Sequence, residues 1–80
     1  MTDALERIAP SVLGERLRLA RSRAGRTQDE AAKFAEISRT TLVAIEKGER
    51  KIRSIELAAL AGLYGVTLNQ LLRDSAIAVD

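Results

Sequence analysis

The sequence predicts an all-α fold, a compact bundle of five helices with a short extra helix ahead of them. Three observations carry that reading. Helix-forming residues dominate, and the period-two alternation of half-buried strands is almost absent. Apolar residues make up 46% of the chain and are mostly Leu, Ala and Ile, with one Phe, one Tyr and no Trp, which suits close-packed helices better than a β-sandwich. Capping signals at Thr27, Ser38, Ser54 and Thr67 divide the chain into short helices joined by short loops.

The elements follow in order. Residues 3–9 can form a short helix, with Asp3 and Glu6 in capping-box spacing and Leu5 and Ile8 on one side; Pro10 stops it. A longer helix then runs over 12–24. Its Leu13, Leu17, Ala20 and Ala24 fall at i, i+4, i+7 and i+11, one core stripe, and Gly25 suits the position just past its end. Leu19 lies off that stripe. Thr27-x-x-Glu30 is a capping box that opens a helix over 28–35, with Ala31 and Ala32 inward. Glu36-Ile37 forms a tight turn. Ser38 caps the next helix, 39–47, which buries Leu42 and Ile45 and ends at Gly48. After a basic loop, Ser54 caps a helix whose buried stripe is Leu57, Leu60, Ala61 and Tyr64, ended by Gly65. Thr67-x-x-Gln70 opens the last helix, with Leu68, Leu71 and Leu72. The expected organisation is an N-terminal extension over 1–10, one domain over 11–73, and a tail or the start of a linker over 74–80.

Composition excludes several function classes. The 80 residues suffice for one small domain with one modest core. There is no Cys and no His. Disulfides, thiolate metal sites, the usual zinc ligands and the usual general base are therefore missing, along with every Cys/His or Ser/His arrangement. No catalytic constellation, metal site or small-molecule cofactor is expected. No apolar run approaches membrane-spanning length and no signal-peptide apolar region opens the chain, so a cytoplasmic setting without a membrane partner is the expectation. Leu68-x-x-Leu71-Leu72 reads as core packing, and Gly62-x-x-Gly65 lies at a helix end without the strands a phosphate-clamping loop needs.

Net charge is only +2, but it is unevenly spread. Residues 16–53 hold eleven Lys/Arg against five Asp/Glu, a balance of +6, while the segments on either side are each −2. A basic middle between acidic ends is the footprint of a polyanion-binding face.

Two helices joined by a turn of about three residues, the second led by a Ser cap, have helix-turn-helix spacing. In that motif the second helix enters the major groove by its N-terminal residues. Arg39 is long and forked, suited to guanine or phosphate, and Thr40 offers a hydroxyl and a methyl. Val43 and Ala44, one turn on, face outward if Leu42 and Ile45 face in, and small apolar groups there suit thymine methyls. Gln28 opens the preceding helix, where its amide and the helix end favour a phosphate; Ser38 joins it at the next cap. Lys47, Arg50, Lys51 and Arg53 lie just beyond the reading helix, placed to track the DNA backbone.

Over residues 13–72 the chain resembles the XRE family, the helix-turn-helix domains of lambda-repressor and Cro type. The matching marks are Leu17, Arg21, Gly25, Thr27-Gln28, Ala32, Ile37-Ser38, Ile45-Glu46, Gly48, Ala61, Gly65-Val66 and Leu71. The resemblance implies a lambda-repressor-like five-helix domain that binds operator DNA as a homodimer, typically a repressor. It implies a phosphate contact at Gln28, base reading by Arg39, Thr40, Val43 and Ala44, and backbone contacts from the basic residues after Gly48. It also implies a structural ion pair between Arg21 and Glu46. Four departures stand out: Glu36 where the turn usually has Gly, Arg26 where Leu or Met is common, Ala31 and Ala35 where larger residues are usual, and Ile52 where Pro is frequent. The first suggests a strained backbone or a differently shaped turn, and the third suggests that Phe34 swings inward to fill space. Leu63, Val66, Leu72, Ile77 and Val79 are the apolar candidates for a dimer surface.

Two other readings keep the same fold. One is a protein-interaction module, an antitoxin or adaptor, suggested by the weakly polar reading face and by Leu19. The other is the DNA-binding N-terminal part of a larger regulator with a zinc metallopeptidase-like second domain; no HExxH occurs in these residues, so such catalysis would lie outside them.

Overall fold

A computed structural model of the chain describes the backbone of residues 2–73 and the side chains of residues 5–73. These form six helices and, among the described residues, no strand: α1 (Thr2–Arg7), α2 (Pro10–Arg23), α3 (Gln28–Ala35), α4 (Arg39–Glu46), α5 (Ser54–Tyr64) and α6 (Leu68–Leu72). The fold is all-α, with α1 as the extra helix ahead of five.

Local hydrogen bonding explains most of the boundaries. Thr27 Oγ1 accepts from the Glu30 N–H at 3.0 Å while the Glu30 carboxylate accepts from the Thr27 N–H at 2.9 Å, the reciprocal pair that starts α3. Thr67 and Gln70 do the same for α6 at 3.0 and 2.8 Å. Ser38 Oγ accepts from the Thr41 N–H at 3.0 Å and so starts α4. Two expectations are corrected. Pro10 does not end a helix; it opens α2, two residues earlier than expected, behind an extended Ala9. Proline fits the first helical position because the N–H it lacks would have no partner there. The cap of α5 is Arg53 rather than Ser54, which is the first helical residue, and its N–H donates to the Glu56 carboxylate at 2.9 Å.

The turn between α3 and α4 depends on Glu36. Its backbone is left-handed, φ 59° and ψ 43°, the one such non-glycine residue among those described. The conformation lets the Ile37 N–H reach back to the Ala32 carbonyl at 3.0 Å and close α3. A side chain there costs roughly 1–2 kcal/mol, the reason glycine is favoured in such turns.

Leu17, Leu42, Leu57 and Leu60 are completely buried at the centre, joined by Leu13, Ile45, Ile52, Tyr64 and Leu71. Burying one such leucine contributes about 1.5–3 kcal/mol. The core holds α4 from two sides: α3 packs on both α4 and α5, and α2 crosses α4 directly. That crossing is close. A Cβ at Gly14 would lie 2.7 Å from the Glu46 carbonyl oxygen and nearer still to that of Ile45, so only glycine fits without a shift.

Phe34 does not swing inward. It is 55% exposed, while Ala31 and Ala32 themselves form the buried side of α3. Leu72 is buried in the core and is thereby removed from the candidate dimer surface, whereas Leu63 and Val66 are half-buried. Ile77 and Val79 lie outside the described residues.

Candidate nucleic-acid interface

The surface of interest is the outer side of α4 with the loop that follows it. Arg39, first in α4, and Thr40 are exposed; Val43 and Ala44, one turn on, are half-buried. The Arg39 guanidinium lies 3.7 Å from Asp29 of α3, with both side chains mostly in solvent, a pair of little energetic weight that leaves Arg39 available. Ser38 Oγ also donates to Thr41 Oγ1 at 2.9 Å, so its hydroxyl is held at the helix start. Lys47 follows the last turn of α4, exposed.

Behind this surface a buried polar cluster holds α4 in place. Glu46, on the inner side of its last turn, accepts from Arg21 Nε of α2 at 2.7 Å and from Arg21 Nη2 at 3.2 Å. The ion pair is largely shielded, with side-chain exposures of 16% for Arg21 and 4% for Glu46. The bond to Glu46 outweighs burial and raises the guanidinium pKa above its usual value, so Arg21 keeps its charge. Arg21 Nη1 also donates to the Arg26 carbonyl at 3.0 Å and thereby ties down the loop before α3. Gln28 Nε2 completes the cluster by donating to Glu46 Oε1 at 3.0 Å. One amide hydrogen of Gln28 is therefore turned toward Glu46. Helices α2, α3 and α4 thus share one carboxylate. Beside it the Tyr64 hydroxyl is buried with no hydrogen-bond partner among the described residues. Burial foremost, with the negative charge of Glu46 added and Arg21 opposing, pushes the phenol far above its ordinary pKa.

The basic loop after α4 has its own organiser, which sequence reasoning missed. Glu56, on the first turn of α5, is only 2% exposed. It accepts from the Arg53 N–H at 2.9 Å, from Arg53 Nε at 3.0 Å and from Arg50 Nη1 at 3.2 Å. Burial alone would raise its pKa; the Arg53 N–H and the two guanidiniums outweigh that and hold it below the usual carboxylate value. The signal was present: Arg53-x-x-Glu56 has capping-box spacing just before an apolar run. Lys51 is exposed between the two arginines in sequence. Arg16, part of the basic middle by composition, serves elsewhere, donating to the Leu71 and Arg73 carbonyls at the end of α6.

Among the described residues no group of three or more His, Cys, Asp or Glu could hold a metal ion, and no helix is long and apolar enough to cross a membrane.

A buried scaffold that presents an arginine-led helix from a tight two-helix turn defines a class, the helix-turn-helix domain. The chain belongs to that family, whose profile, described as "Helix-turn-helix domain", matches residues 12–74. Two solved structures share the fold. The hypothetical transcription factor NHTF from Neisseria is 28% identical over 92% of this chain and 85% of its own, with a TM-score of 0.75. The restriction-modification controller protein C.AhdI from Aeromonas hydrophila is 24% identical over 78% of this chain and 94% of its own, with a TM-score of 0.72. No curated protein sequence matches the chain. The fold is therefore that of XRE-like helix-turn-helix transcription regulators, a DNA-binding fold.

Proposed function

We propose that this domain is a sequence-specific transcription regulator, a repressor that binds operator DNA as a homodimer with α4 in the major groove. The observation that carries the reading is the exposure of Arg39 and Thr40 on the first turn of α4, a helix whose inner side is tied down by Arg21 and Gln28 through Glu46. In this reading Arg39 and Thr40 meet base edges first. The half-exposed Val43 and Ala44 touch thymine methyls deeper along the groove. Ser38 and the second amide hydrogen of Gln28 approach one stretch of phosphates, and Lys47, Arg50, Lys51 and Arg53 approach another. A dimer would read two half-sites about one helical turn apart.

Selection from a random duplex library tests the reading. The expected product is an enriched, two-fold symmetric site bound by two chains per duplex in sedimentation. Arg39→Ala should change the preferred bases, at about 1–3 kcal/mol for its position. Lys51→Ala should weaken binding to all sequences alike and reduce the salt slope by about one. No enrichment, together with unaltered binding by Arg39→Ala, would overturn the proposal.

A further inference from the structure

Among the described residues, three helices begin with an N–H that donates to the side chain three residues on: Thr27 to Glu30, Arg53 to Glu56 and Thr67 to Gln70. Gln70 does this without charge, and Glu30 and Gln70 do it in solvent. Only Glu56 is buried, and it is the only charged residue between 54 and 72. A buried carboxylate is costly, and capping does not require it, since a neutral amide oxygen accepts the same N–H. The charge has a further use. Arg50 Nη1 and Arg53 Nε reach it at 3.2 and 3.0 Å from opposite ends of the basic loop, and Arg50 Nη1 also donates to the Lys51 carbonyl at 3.1 Å. Two guanidiniums brought so close would repel; the carboxylate between them removes that obstacle. Arg50 Nε and Nη2 and Arg53 Nη1 donate to no described residue. The two arginine side chains remain 38% and 68% exposed, with donors to spare.

We propose that Glu56 is a positioning residue for DNA binding: its buried carboxylate holds the Arg50 and Arg53 guanidiniums together in advance, as a ready-made clamp for backbone phosphate oxygens. The proposal rests on the DNA-binding reading above and adds a residue that never touches DNA. Holding the heads in place removes the ordering cost that two free arginine side chains would meet on binding.

Charge counting and positioning predict opposite signs for Glu56→Gln. The amide keeps an oxygen for the Arg53 N–H but adds one net positive charge, which alone would tighten binding to DNA. Positioning predicts instead that affinity for the selected duplex falls about five- to tenfold, measured with a variant whose melting shows it folded. Equal or tighter binding overturns the proposal. Should Glu56→Gln fail to fold, the double variant Arg50→Lys, Arg53→Lys decides: total charge is kept and the forked geometry is lost, so a five- to tenfold weakening with an unchanged salt slope supports the clamp, and unchanged affinity overturns it. A DNA-free measurement separates this idea from the functional reading. The Arg53 Nε–H signal in NMR should report an ordered side chain in the wild type, and Glu56→Gln or, if that does not fold, Glu56→Asp should release it; equal mobility in wild type and variant overturns the proposal. Failure of the wild type to bind any duplex would sink the DNA reading, while the Nε–H result would still show whether Glu56 orders the two heads.

Discussion

Two carboxylates stand on either side of the loop that follows α4, Glu46 on the last turn of α4 and Glu56 on the first turn of α5. Both are buried and both bind arginine. They differ in where the arginine goes. Arg21 comes from α2 and stays in the interior with its carboxylate, whereas Arg50 and Arg53 come from the loop and keep their heads at the surface. The same ionic chemistry therefore serves two ends. Around Glu46 it joins three helices and fixes the angle of α4. Around Glu56 it arranges a surface and joins little else. Burial of the cation, more than burial of the anion, separates a structural ion pair from one that presents charge.

The largest test of this contrast is Glu46→Ala. It would strand Arg21 and Gln28 in the interior and should cost about 3–5 kcal/mol in chemical denaturation. A loss below about 1 kcal/mol would place the pair among surface bridges of small effect and erase the contrast. Next comes Gly14→Ala, where a methyl would press on the carbonyls of Ile45 and Glu46. Overpacking there should cost about 1–3 kcal/mol and spread α2 from α4; a neutral result would mean that the Glu46 cluster tolerates a shifted α4.

Tyr64→Phe sharpens the picture of the interior cluster. It removes a buried hydroxyl that no described group satisfies, so stability should rise by about 1 kcal/mol. Titration sets a separate limit. The folded phenol is raised above its ordinary value of 10, so the unfolded chain ionises first and the fold loses stability as pH climbs above 10, while below pH 10 Tyr64 adds no pH dependence. Because Tyr64 is the only tyrosine, phenolate absorbance should appear together with unfolding in alkali; ionisation near pH 10 in the folded chain would contradict the burial.

Glu36→Gly tests the turn that joins α3 to α4, away from both clusters. Relief of the left-handed strain should raise the melting midpoint by a gain of about 1 kcal/mol or less, since the freed unfolded chain offsets part of it. The smallest effect belongs to acid. Glu56 is held below the ordinary value of 4.5 in the folded chain, so its stabilisation is complete above that value and fades as pH falls through it toward the depressed one. The stability difference between wild type and Glu56→Gln should therefore shrink in denaturation measured below pH 4.5. A gap that persists there would show that Glu56 acts through packing alone.

The sequence by itself determined the helix content, the caps at Thr27, Ser38 and Thr67, the inward stripes of leucine and the helix-turn-helix spacing. These are short-range properties: each cap closes through hydrogen bonds between residues three apart, and each stripe follows from helical period. Pro10 was misjudged because proline both ends and begins helices, and the extended backbone at Ala9 settles which. Phe34 was misjudged because pattern shows that a residue is apolar, while only neighbours from other helices decide whether anything covers it. The turn of the Gln28 amide toward Glu46 and the grip of Arg21 on the same carboxylate join residues 18 and 25 positions apart. Such contacts exist only once the helices have packed, because a hydrogen bond needs its partners within about 3 Å and the chain carries no local mark of which distant partner will arrive.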